Sequence, residues 1–72
     1  MRFGYRVAVG CEDVGRRVTV RYRLPSGTLT DVLGDLEGCD ETTFEVRTRD
    51  GTMRRVTRAD VVAAKVVPPP KR

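Results

Sequence analysis

The sequence predicts an all-β fold, a small barrel of about five short strands with one 3₁₀ turn before the last strand. Three observations carry this. Phe44, Val46 and Thr48 alternate with Glu45, Arg47 and Arg49 and run straight into Asp50-Gly51, a pairing that supplies the positive φ of a tight hairpin. Val18, Val20, Tyr22 and Leu24 alternate just as cleanly with Arg17, Thr19, Arg21 and Arg23. Finally, 72 residues form one domain near the lower limit for a self-sufficient core, and a barrel removes the sheet edges that so short a chain has no spare elements to cover.

Residues 1–9 alternate Phe3, Tyr5, Val7 and Val9 with smaller or basic residues, which predicts a first strand or an extended arm docked on the barrel. Residues 10–15, GCEDVG, read as a turn or a single 3₁₀ turn closed by Gly15. The strand 17–24 follows, then Pro25-Ser26-Gly27 as turn chemistry. Leu29 to Glu37 is the next strand, with Gly34 expected at a bend or bulge. The hairpin has two candidate registers. A two-residue loop sets Val46 against Arg55 and leaves Val56 pointing outward. A three-residue loop, Arg49 to Gly51 with a bulge at the glycine, pairs Phe44 with Val56 and is favoured because it buries Val56. It also turns Arg54 inward beside Val46, so Arg54 must reach for the rim. Thr57 to Asp60 reads as one helical turn capped by Thr57, and Val61 to Val67, short and β-branched, as the closing strand. Pro68 to Pro70 ends regular pairing, giving a barrel over 1–67 and the start of a proline-rich linker over 68–72. This order is the layout of an SH3-like barrel. Its expected core is Val18, Val20, Tyr22, Leu33, Leu36, Phe44, Val46, Val56, Val61 or Val62, and Val66.

The net charge of +4 conceals a segregation. Residues 1–24 hold six basic and two acidic side chains, residues 25–45 six acidic and none basic, and residues 46–72 eight basic and two acidic. An acidic strand thus sits beside basic ones in a meander, and Arg21 and Arg23 are expected to face Asp31 and Asp35 as cross-strand partners. The N-terminus lacks the apolar run of a signal peptide, and no segment approaches the roughly 20 apolar residues of a membrane span. The expectation is a cytoplasmic chain that does not enter a membrane. A bridge between Cys11 and Cys39 is geometrically conceivable, but in that setting two unreactive thiols at turns are the preferred reading, since the cytosol disfavours disulfides and both have acidic neighbours.

Chemistry of its own is not expected. With no histidine and only Ser26 as a serine, no nucleophile–base pair can be built, and two lone cysteines do not make a zinc site. Asp31, Asp35 and Glu37 on one side of a strand read as a solvated face. No catalytic, cofactor or metal residue is therefore assigned. The candidate interaction surface is arginine-rich: Arg17, Arg21 and Arg23 on one strand, with Arg47, Arg49, Arg54 and Arg55 at the hairpin. Against phosphate recognition, Tyr22 and Phe44 point to the core, which leaves few aromatics for stacking on bases. Proline-peptide recognition is disfavoured by the same scarcity of aromatics.

The segments DVGRRVTVRYRL, TDVLGDLE, VRTRDGTMRRV and ADVVAAKVVPPP resemble, in order and spacing, the SH3-like N-terminal domain of actinobacterial GNAT-family acetyltransferases with histone-acetyltransferase-like character. The likeness runs from Asp13 to Pro70. The resemblance implies an accessory barrel ahead of a catalytic domain that holds the acetyl-CoA site. The glycine-rich pyrophosphate turn of that site has no counterpart here, because Gly27, Gly34, Gly38 and Gly51 stand singly, so no cofactor residue carries over. The reading is a non-catalytic interaction domain whose partner is its own acetyltransferase domain or a protein substrate. The alternative is a free-standing barrel that binds nucleic acid through its arginine-rich strands.

Overall fold

The computed structural model describes residues 6–68. Five strands, β1 (Arg17–Arg23), β2 (Leu29–Cys39), β3 (Thr43–Thr48), β4 (Met53–Thr57) and β5 (Val61–Val66), form one antiparallel sheet in the order β4-β3-β2-β1-β5. Short 3₁₀ turns, Cys11–Asp13 and Arg58–Asp60, precede β1 and β5. The described residues form no second layer, yet Val18, Val20, Leu36, Phe44 and Val46 are all 0% exposed. A single sheet buries one face completely only by curling round itself, so the sheet coils into the small SH3-like barrel its strand order describes.

The core takes one inward row from each strand: Val18 and Val20, Val32 and Leu36, Phe44 and Val46, Val56, and Ala64, with Val9 closing one side. Tyr22, Val61 and Val66 pack on its margin. One expected core residue is on the wrong side. Leu33 is 47% exposed, and Val32 and Gly34 are the inward residues. The alternation of β2 continues unbroken through Gly34; the irregularity expected there lies further on, between Leu36 and Gly38. Gly34 serves a close approach instead, for a Cβ there would overlap the Arg47 carbonyl of β3. Val9 and Ala64 complete the core. They meet because the chain before β1 runs beside β5, with Ala8 N–H donating to the Ala64 carbonyl at 2.8 Å and Ala64 N–H to that of Arg6 at 2.9 Å. This is the docked arm for residues 6–9; residues 1–5, and the linker from Pro69 on, lie outside the described residues.

The central hairpin adopts the three-residue loop. Phe44 pairs with Val56 and Val46 with Arg54, the Thr48 N–H reaches the Thr52 carbonyl at 2.8 Å, and Gly51 takes φ +89°. Asp50 fastens the turn by accepting the Thr48 hydroxyl and the Thr52 N–H, which pull its carboxyl down to about 2. The turn before β5 is not capped by the Thr57 side chain. It is held from outside, by Arg58 N–H donating to the Thr42 carbonyl at 2.8 Å.

Cys11 and Cys39 are not free thiols but a disulfide, with Cα atoms 5.2 Å apart. Two backbone hydrogen bonds bring them together. Gly15 N–H donates to the Leu36 carbonyl at 2.8 Å and Leu36 N–H to that of Arg16 at 2.9 Å, which lays the first 3₁₀ turn against the end of β2. Compartment and local charge, the grounds for expecting thiols, say nothing about this docking. Among the described residues, no helix is long and apolar enough to cross a membrane.

Candidate interaction surface

β1, β2, β3 and β4 lay their outward side chains side by side, so in-register neighbours decide which charges cancel. Arg21 stands opposite Asp31 and binds it with two guanidinium nitrogens, Nε to Oδ1 at 2.8 Å and Nη2 to Oδ2 at 3.2 Å. That contact holds the Asp31 carboxyl below the usual carboxylate range. Arg55 faces Glu45 and reaches it at 3.1 Å. Arg47 stands opposite Asp35 but leans along the strand to Glu37 at 3.0 Å, while its Nη1 donates to the Gly51 carbonyl at 2.9 Å and ties β2 to the hairpin turn. These pairs are solvent-exposed, each contributing about 0–1 kcal/mol, so they set surface potential and register more than stability. The expected cross-strand neutralisation is present at Arg21. Arg23 instead donates to the Gly27 carbonyl at 3.3 Å.

The remaining arginines differ. Among the described residues, Arg17, Arg49 and Arg54 make no ion pair within 4.0 Å. Arg54 shares the inward row of β4 and emerges exposed at the rim, as a long side chain can. Arg17 and Arg49 converge with Arg47 on an open cleft of roughly 460 Å³ at the hairpin end of the sheet. Its wall includes the exposed Leu33 and also Asp35, which stands opposite Arg17 in register, yet among the described residues no carboxylate oxygen comes within 4.0 Å of Arg17 or Arg49. The seven predicted arginines therefore do not form one face. Three are held by carboxylates, one by a turn carbonyl, one sits at the far rim, and two remain open at the cleft.

Sequence reasoning missed a second arginine site at the opposite end of β3. Arg58 lies over the Phe44 ring, guanidinium carbon 4.6 Å from the ring centroid, and its Nη1 donates to the Asp40 carbonyl at 2.7 Å. The same nitrogen is 3.8 Å from the Cys11 sulfur and 3.7 Å from the Cys39 sulfur. Asp40 turns its own carboxylate the other way, onto the N–H groups of Thr42 and Thr43, which lower its pKa. No local motif marks Arg58; only the path of the second 3₁₀ turn and the Cys39–Thr42 loop brings it to the sulfurs.

Residues 12–65 match the protein family described as the Rv0428c N-terminal Sm-like domain. The chain is also 46% identical over 62 residues to the probable histone acetyltransferase Rv0428c of Mycobacterium tuberculosis, an alignment covering 82% of this chain and 20% of that protein. No solved structure matches it. A five-stranded barrel, a family match across three-quarters of its length and a relative aligned at its N-terminal region agree: this chain belongs to the Rv0428c N-terminal Sm-like domain family.

Proposed function

We propose that this barrel is the non-catalytic N-terminal accessory domain of an acetyltransferase, and that it positions a protein partner through the cleft at Arg17, Arg47 and Arg49. The observation that carries the first part is the alignment to the N-terminal fifth of a probable histone acetyltransferase. The cleft supports the second. Two arginines with no carboxylate oxygen within 4.0 Å among the described residues, beside an exposed leucine, suit an acidic protein segment that also carries an apolar side chain. That segment belongs either to the catalytic domain or to its protein substrate.

Deletion of residues 1–67 from a protein that carries this domain ahead of its acetyltransferase domain tests the reading. Acetyl-CoA binding is expected to stay unchanged while acetylation of the protein acceptor weakens. Loss of acetyl-CoA binding would contradict an accessory role. Nucleic-acid binding is the second reading, favoured by the unpaired Arg17, Arg49 and Arg54; a salt-dependent shift with RNA or DNA at near-physiological ionic strength would move the weight to it.

A further inference from the structure

We infer that Cys11–Cys39 is an exchangeable dithiol/disulfide couple, a modification site for low-molecular-weight thiols and disulfides, with Arg58 as the cation that takes up the thiolate charge. The geometry at the sulfurs carries this. A disulfide that serves only as a staple needs no charge beside it. Here one guanidinium nitrogen lies nearly equidistant from both sulfurs, at 3.8 and 3.7 Å. The group is clamped in place by the Asp40 carbonyl and the Phe44 ring, and its backbone N–H by the Thr42 carbonyl. Exchange creates a thiolate at whichever sulfur leaves, and a fixed cation there lowers the cost of that charge.

Among the described residues no carboxylate oxygen lies within 4.0 Å of the Arg58 guanidinium, although the Arg58 charge is one of the causes that lower the Asp40 carboxyl pKa. Asp13 accepts the Gly10 N–H at 2.9 Å, Glu12 folds back over Gly10, and Asp40 is engaged by Thr42 and Thr43. Glu41 is exposed in the loop. The cation of the second 3₁₀ turn is the charged group that reaches both sulfurs.

Access and reversibility follow from the same corner. Cys11 is exposed while Cys39 is half-buried, so an incoming thiolate attacks the Cys11 sulfur. A new S–S bond forms between the thiol reagent and Cys11, the Cys11–Cys39 bond breaks, and its electron pair leaves on the Cys39 sulfur beside Arg58. A second thiolate then attacks the reagent's sulfur in the mixed disulfide, releasing the Cys11 thiolate and an oxidised reagent. Two thiols thus supply the two electrons that reduce the bond. The backbone bonds between Gly15 or Arg16 and Leu36 hold the two segments together without the sulfurs, so the couple can close again when an external disulfide oxidises it.

The test is reduction by dithiothreitol at fixed pH, followed by iodoacetamide capping and mass measurement, for wild type, Arg58→Lys and Arg58→Gln. Reduction is expected to be several-fold slower in Arg58→Gln, with Arg58→Lys between the two. For reduced wild type, the midpoint of alkylation rate against pH should lie lower in the folded chain than in the same chain in urea. That second measurement decides the matter alone if Arg58→Gln does not fold. An Arg58→Gln rate equal to or faster than wild type would overturn the inference, as would a folded midpoint at or above the midpoint in urea.

Discussion

At the Thr48 end of β3 the chain turns back through three consecutive residues, Arg49 to Gly51, whereas at the Thr43 end three distant segments meet: Cys11, the Cys39–Thr42 loop and Arg58. The first end is closed by contacts four residues apart or fewer. The second is closed by a bond across 28 residues of sequence and a guanidinium that arrives from beyond the hairpin. One end leaves Arg17 and Arg49 without an ion pair among the described residues; the other engages Arg58 with the Phe44 ring and the Asp40 carbonyl. Local closure leaves side chains unpaired, and long-range closure consumes them.

The largest expected effect separates the two ends by stability. Replacing Cys11 and Cys39 together by serine should cost about 3–4 kcal/mol in urea unfolding, the scale of releasing a loop of this length in the unfolded chain. The cleft should keep its shape in that variant, because none of its lining residues belongs to the corner. A double variant as stable as wild type would mean that closing this loop does not stabilise the folded chain.

A smaller effect belongs to the hairpin and to acid. Asp50 has its folded pKa depressed to about 2 by the Thr48 hydroxyl and the Thr52 N–H. Its contribution is therefore fully present above the unfolded value of about 3.9 and is lost as pH falls from there towards 2. Asp50→Asn should lower stability in the neutral region and flatten the acid end of the curve in that window, so that the two proteins converge as pH falls towards 2. The same slope in both proteins would show that the turn does not depend on the ionised carboxylate.

The contrast also explains what was legible in the sequence. The hairpin was, down to its register, because Asp50-Gly51 and the need to bury Val56 are both local facts. The strand order followed from turns and alternation in the same way. Leu33 was misplaced because residue type argues for burial while its position between Asp31 and Asp35 argues for exposure, and position won: β2 kept strict alternation through Gly34. Val9 and Ala64 were overlooked since their burial depends on an arm running beside β5. The disulfide and Arg58 had no local signal at all; charge and compartment describe each cysteine's neighbours in sequence, not the segment that docks on it. At the surface, the blocks of opposite charge announced pairing, and it occurs at Arg21, Arg47 and Arg55. Which arginines stay open depended on side-chain lean, such as Arg47 passing over Asp35 to reach Glu37.

That distinction between held and open arginines is the centre of the functional account. The direct measurement is the affinity of the 72-residue chain for a glutamate-rich peptide carrying one leucine, compared between two double variants that lose the same charge. Arg17→Gln with Arg49→Gln removes the open pair; Arg21→Gln with Arg55→Gln removes arginines already bound to carboxylates. A loss on the order of tenfold is expected for the first variant and little change for the second. Equal losses in both would contradict it, showing that the peptide senses net charge rather than the cleft.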